Sequence, residues 1–229
     1  MKRNERNDRN GGSHLTELVF ILDRSGSMEG LERDTIGGFN SMIARQKKEP
    51  GRALVSTVLF DNDSSVIHDR LPISQVPLMT DRDYFTRGCT ALLDAVGGAI
   101  RHIGNIHKYA RREDVLDRTL FVITTDGYEN ASHRYDYPAV HKMIDGQKEK
   151  YGWEFLFLGA NIDAAREAAR FGISADRAAN YRCDHAGTAL NYEVIDKAVC
   201  DFRAAGTVSL DWKERIDEDM EKRGGREKF

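Results

Sequence analysis

The stretch Leu18-Val-Phe-Ile-Leu-Asp-Arg-Ser-Gly-Ser-Met28 runs from five apolar residues straight into Asp23, Ser25 and Ser27, three oxygen-bearing side chains at alternate positions. The apolar run reads as a strand buried on both faces, and the residues after it as a turn at the strand's carboxyl end. In open α/β sheets that end is where ligands bind. Hard oxygen donors gathered there suit Mg²⁺ better than a soft metal.

A second run, Thr119-Leu-Phe-Val-Ile-Thr124, ends in the same manner, in Thr125-Asp-Gly127. Between the two runs, residues 30–48 place Leu31, Ile36, Phe39, Met42, Ile43 and Ala44 at helical spacing, and Pro50-Gly51 terminates the helix. Residues 52–60 read as a strand, Asp61-Asn-Asp63 as a hairpin turn, and residues 64–73 as the returning strand with rough apolar–polar alternation. Residues 90–103 read as a helix. Beyond the second run, the pattern predicts a helix over 138–150, a strand over 153–158 and an Ala-rich helix over 163–171 capped by Gly172. A short strand over 177–182 and a helix over 188–202 complete the series. Strands alternating with helices, plus one early hairpin, predict a doubly wound three-layer α/β sandwich: a mostly parallel sheet, one antiparallel edge strand, and helices on both faces.

A chain of 229 residues with 40% hydrophobic and 31% charged content is long enough for one well-buried domain. Residues 1–14 read as a flexible charged tail, 15–206 as the domain, and 207–229 as a charged extension, either a solvated short helix or disordered. A net charge of −3 speaks against a nucleic-acid partner. The sequence shows no apolar run of membrane-spanning length and no apolar secretory core, so no membrane partner and a cytoplasmic location are expected. The three cysteines, Cys89, Cys183 and Cys200, form no Cys-x-x-Cys pair, and reduced core thiols are expected. Cys89 in particular reads as a small buried packing residue. Cys183-Asp-His185 offers only one edge of a zinc site. Asp61-Asn-Asp63 lacks the glycine and distal glutamate of a calcium loop. Trp153, Phe155 and Phe157 read as sheet core, Asp81-Arg-Asp83 as a solvated loop, and Glu129 with Asn130 as rim residues beside Asp126.

In a parallel sheet Asp23 and Asp126 emerge at one rim, and Gly88-Cys-Thr90 brings a hydroxyl and free backbone amides to the start of a helix. Together, Asp23-x-Ser25-x-Ser27, Thr90 and Asp126 resemble the metal-ion-dependent adhesion site of the von Willebrand factor A domain family, in order, spacing and strand context. The resemblance covers roughly residues 17–205, and Phe157-Leu-Gly-Ala-Asn-Ile-Asp163 looks like a bacterial and phage subset. It implies that Ser25, Ser27 and Thr90 coordinate Mg²⁺, with Mn²⁺ or Ca²⁺ as possible substitutes. It implies also that Asp23 and Asp126 act mainly through bound water and by orienting the hydroxyls.

The implied function is a non-enzymatic, Mg²⁺-dependent protein-binding module, because an ion held by neutral hydroxyls keeps an electrophilic face that a partner's Asp or Glu carboxylate can fill. Two alternatives stand beside it. One is a phosphatase-like hydrolase with Asp23 as nucleophile, although Ser25 occupies the place where a second Asp would serve as general acid. The other is a subunit of a larger ATPase-driven assembly; the chain carries no Gly-x-x-x-x-Gly-Lys-Ser/Thr loop of its own.

Overall fold

The computed structural model describes residues 15–111, 116 and 118–223. The expected amino-terminal tail, residues 1–14, lies outside the described residues. The opening apolar run is strand β1 (Leu15–Asp23), followed by helix α1 (Glu32–Gln46), strands β2 (Arg52–Phe60) and β3 (Ser64–Pro72), and helix α2 (Leu92–Tyr109). Then come β4 (Arg118–Thr125), α3 (Tyr137–Tyr151), β5 (Glu154–Gly159), α4 (Ala164–Arg170), β6 (Ala178–Asn180), α5 (His185–Ala205) and α6 (Glu214–Arg223).

The six strands form one sheet in the order β3-β2-β1-β4-β5-β6, parallel throughout except for β3, which pairs antiparallel with β2 at the edge. The predicted doubly wound α/β sandwich is the observed architecture. Side-chain alternation along β1 splits its apolar run between two cores. Leu18, Phe20 and Leu22 face α1 and α5, against Phe39, Met42, Ile195 and Phe202. Val19 and Ile21 face α2, α3 and α4, against Leu92, Val96, Ile100, Val140 and Ala164. Trp153, Phe155 and Phe157 are buried in this second core, as expected. No helix among the described residues is long and apolar enough to cross a membrane.

The chain leaves β1 toward β2 and β3, then crosses back through α2 to lay β4 on the other side of β1. This reversal of strand order falls between β1 and β4, and at the carboxyl ends of strands flanking such a reversal open α/β sheets bind ligands. Register places Leu22 opposite Thr124, so Asp23 lies beside Thr125 and Asp126 follows immediately.

Several boundaries differ from expectation, each for a local reason. Helix α2 runs to Tyr109 rather than 103, because the next core-facing position is His107, a polar residue that breaks the apolar rhythm. His107 is buried and its Nε2 lies 2.6 Å from Glu17 Oε2, while the other Glu17 oxygen accepts from Arg70 Nε at 2.6 Å. Helix α5 begins earlier than predicted because Asp184 caps it, accepting from the Gly187 amide at 2.7 Å. The charged stretch after Gly206 does form a short helix, but it is neither detached nor fully solvated. Val208, Trp212 and Ile216 join the α1/α5 core, and Trp212 Nε1 donates to the Asp176 carbonyl at 2.8 Å.

Candidate metal centre

The fold gathers Asp23, Ser25, Ser27, Thr90 and Asp126 from three separate segments. Asp23 ends β1 and is buried, and each of its oxygens is engaged. The Ser25 amide donates to Oδ1 at 2.7 Å, and Thr125 Oγ1 donates to Oδ2 at 2.6 Å. The first bond is the turn expected of an Asp two residues before an amide. Tyr84, reaching from the loop before α2, donates its hydroxyl to the Asp23 carbonyl at 2.6 Å. Ser25 Oγ lies 3.1 Å from Ser27 Oγ, and Ser27 Oγ donates to Asp126 Oδ1 at 2.5 Å. The other Asp126 oxygen accepts from Cys183 Sγ at 3.6 Å.

Thr90 completes the group from across Gly127. A methyl group placed on Gly127 would lie 3.5 Å from Thr90 Oγ1 and 3.8 Å from Ser27 Oγ, so the missing side chain leaves a small cradle between the two hydroxyls. Thr90 is only 3% exposed, yet its hydroxyl has no hydrogen-bond partner among the described residues. A hydroxyl free of protein partners keeps both lone pairs available to a ligand.

The electrostatics point the same way. Burial pushes Asp23 up to about 6, against the stabilising hydrogen bonds from Thr125 and Ser25, and the Asp126 charge adds to the effect. Burial likewise raises Asp126, offset by Ser27 and Cys183. The groups that hold these carboxylates are hydroxyls, an amide and a thiol, all neutral. The adjacent Arg24 does not serve them: its guanidinium donates to Asp61 Oδ2 at 2.7 Å and to the Asp83 carbonyl at 3.2 Å. Two desolvated carboxylates and three hydroxyls, with no neutralising side chain among the described residues, fit a hard divalent cation. Among the described residues no three His, Cys, Asp or Glu side chains come together as a metal cluster, so any ion here depends on hydroxyl oxygen.

A scaffold fixes the loops that carry these groups. Asp61, in the hairpin turn, accepts from both Arg24 and Arg87, the latter at 2.9 Å. Burial opposes its charge, but the hydrogen bonds from Arg87 and Asp63 and the Arg24 charge outweigh it and hold Asp61 below the ordinary carboxylate range. Asn62 accepts from the Cys89 amide at 3.0 Å. Gly88 sits at φ +66°, and a Cβ there would lie 1.9 Å from Asn62 Oδ1, so this approach requires glycine. Gly26 donates to the Gly88 carbonyl at 3.1 Å, joining the Ser25–Ser27 turn to the Thr90 loop.

The expected rim residues Glu129 and Asn130 do more than line an edge. Thr90 and Asn130 exchange hydrogen bonds: the Thr90 amide donates to Asn130 Oδ1 at 2.9 Å, and the Asn130 amide to the Thr90 carbonyl at 3.1 Å. Glu129 Oε2 accepts from the Leu93 amide at 2.8 Å, capping the first turn of α2. Asp94 accepts from the amides of His133, Arg134 and Tyr135 at 2.9–3.0 Å. Thr90 and the loop after Asp126 are therefore one clasped unit.

Sequence reasoning missed Thr125, Tyr84, Asp94 and the Arg24–Asp61–Arg87 group, because their roles depend on partners far along the chain. The signal for Thr125 was its place just before Asp126. Cys89, expected to be buried, is exposed: it lies in the loop before α2, where its amide donates to Asn62 Oδ1 and its side chain meets solvent. All three cysteines are unpaired. Cys183 and His185 turn apart, Cys183 to Asp126 and His185 to Asp34, 2.5 Å from Nδ1. Burial, then the Asp126 charge, pushes the Cys183 thiol up to about 12. Asp83, on the loop expected to be solvated, closes a local turn on Thr80, with both contacts at 2.8 Å.

No protein-family model matches the sequence, and no curated protein sequence matches it. Solved structures do match the fold. One is proximal thread matrix protein 1 from the mussel byssus, with a zinc-occupied metal-ion-dependent adhesion motif: TM-score 0.56, 14% identity, covering 82% of this chain and 46% of the other. Another is the von Willebrand factor type A protein from Catenulispora acidiphila: TM-score 0.53, 14% identity, 82% and 43% coverage. A third is VWA2, the ArnB paralog of Sulfolobus acidocaldarius: TM-score 0.50, 18% identity, 81% and 45% coverage. The chain spans less than half the length of each. At these identities the likeness is one of architecture, and by architecture this chain has the von Willebrand factor type A fold.

Proposed function

We propose that this chain is a non-enzymatic protein-binding module whose contact point is a divalent metal ion. Ser25, Ser27 and Thr90 would hold the ion through their hydroxyls, while Asp23 and Asp126 orient those hydroxyls and supply negative charge. Mg²⁺ is the expected ion, and Mn²⁺ or Ca²⁺ would substitute. When bound, the ion supplies a Lewis-acidic position for an Asp or Glu carboxylate of a partner protein.

One observation carries this reading: the Thr90 hydroxyl, with no hydrogen-bond partner among the described residues, lies across the Gly127 cradle from the Ser27 hydroxyl that meets Asp126, and both carboxylates of the site are held only by neutral donors. The zinc in the adhesion motif of the mussel protein supports the placement of a divalent ion at this position of the fold. The engagement of both Asp23 oxygens supports binding over phosphoryl transfer, since a nucleophilic carboxylate needs a free oxygen aimed at phosphorus.

The test is affinity capture on immobilised protein in Mg²⁺. A partner retained by wild type should be released by EDTA and not retained by Ser25→Ala. Retention of the same partner in EDTA, or by the variant, would rule out metal-mediated contact. Asp23-dependent hydrolysis of an aryl phosphate would overturn the non-enzymatic assignment.

A further inference from the structure

We infer that Cys183 is a metal-selective ligand at this centre: thiophilic divalent ions such as Zn²⁺ or Co²⁺ take its sulfur together with Asp126, whereas Mg²⁺ takes oxygen alone. The inference rests on the metal-centre reading above and adds a residue that reading does not use.

The geometry carries it. Asp126 divides its carboxylate, giving Oδ1 to the Ser27 hydroxyl and Oδ2 to the Cys183 thiol. The Sγ–Oδ2 separation is 3.6 Å. Two ligands of a tetrahedral zinc, with sulfur at about 2.3 Å and oxygen at about 2.0 Å from the ion, stand about 3.5 Å apart. The two atoms already hold the spacing that a shared ion of this kind demands. A hard ion such as Mg²⁺ gains little from sulfur and keeps to oxygen.

A second, independent feature points to a ligand on the Ser27 side of the same carboxylate. Thr90, 3% exposed, keeps a hydroxyl with no partner among the described residues, beside the Gly127 cradle that follows Asp126. The backbone holds Cys183 in position: Tyr181 donates to the Gly159 carbonyl at 3.0 Å, and Asp184 to the Arg182 carbonyl at 2.9 Å. Gly187 fits against this turn only because it lacks a side chain; a Cβ would lie 2.1 Å from the Arg182 carbonyl oxygen. Binding would form one metal–sulfur bond and release the thiol proton to solvent, with no change in oxidation state.

The experiment is a Co²⁺ titration of the full chain, read by the thiolate-to-cobalt charge-transfer absorption, with Zn²⁺ competition to obtain affinities. Wild type and Cys89→Ser should show the band; Cys183→Ser, which keeps a hydrogen-bond donor to Asp126, should not. Zn²⁺ affinity should fall by about tenfold or more in Cys183→Ser, and by a larger factor than Mg²⁺ affinity does. A melting temperature in EDTA close to wild type establishes that the variant is folded; if it is lowered, Cys183→Ala replaces it in the same assay. No thiolate band in saturated wild type, equal Zn²⁺ affinities, or a band lost only in Cys89→Ser would overturn the inference. A wild type that shows the band but no Mg²⁺ response would instead overturn the function proposed above and leave Cys183 as a ligand.

Discussion

Asp23 shows how one residue joins the fold to the site. Its backbone closes β1, its carboxylate organises the following turn through the Ser25 amide, and Thr125 ties it to β4. Its charge is held out of water with only neutral donors, which places it at about 6. An unfolded Asp ionises near pH 4, so between that value and about 6 the folded protein binds a proton that the unfolded chain lacks. Stability contributed at this position is therefore present at low pH and lost as pH rises through that window. The metal-free cost at neutral pH is on the order of 3 kcal/mol. Asp23→Asn carries no charge and can still accept from Ser25 and donate to Thr125. Compared by denaturant unfolding in EDTA at about pH 5 and about pH 8, wild type should lose stability relative to Asp23→Asn as pH rises. Parallel pH profiles would show that the Asp23 charge is not penalised. Asp23, Ser25 and Ser27 were legible as candidates because their type and spacing are local, and Thr90 and Asp126 because each stands at the edge of a predicted element; the partners that fix them are long-range and carry no local signature.

At the scale of elements, the clasp between α2 and the loop after β4 decides whether Thr90 and Asp126 keep their spacing. Asp94 is the center of this clasp, accepting three consecutive amides. Asp94→Ala leaves those donors without their acceptor and should destabilise the protein by about 1–3 kcal/mol in EDTA, measured by thermal or denaturant unfolding. It should also weaken Mg²⁺ binding. Unchanged stability together with unchanged Mg²⁺ affinity would mean that the clasp does not position Thr90. The parallel strands were legible because burial on both faces makes them continuous apolar runs, as at Leu18–Leu22 and Leu120–Ile123. Helix ends were less so. The last turns of α2 were hidden by His107, which is buried only because Glu17 is there to meet it. The start of α5 was hidden because its signal is a cap, Asp184, rather than an apolar residue.

For the whole molecule, the reversal of strand order around β1 brings residues from positions 23 to 126 to one rim. The alternation of elements foretold that architecture, including the antiparallel edge. What composition concealed was the reach of the core into the charged stretch after Gly206, where Trp212 and Ile216 are buried at their few apolar positions. Two cores pack the sheet on both faces, and the rim it presents carries hydroxyls and carboxylates held, among the described residues, by neutral donors. In the function proposed above, this rim binds a divalent ion through those groups. The most direct measurement is the melting temperature in EDTA and in Mg²⁺, for wild type, Ser25→Ala and Thr90→Ala. Mg²⁺ should raise the wild-type value and leave both variants near their EDTA values. No rise in wild type, or the same rise in both variants, would rule out ion binding through these hydroxyls.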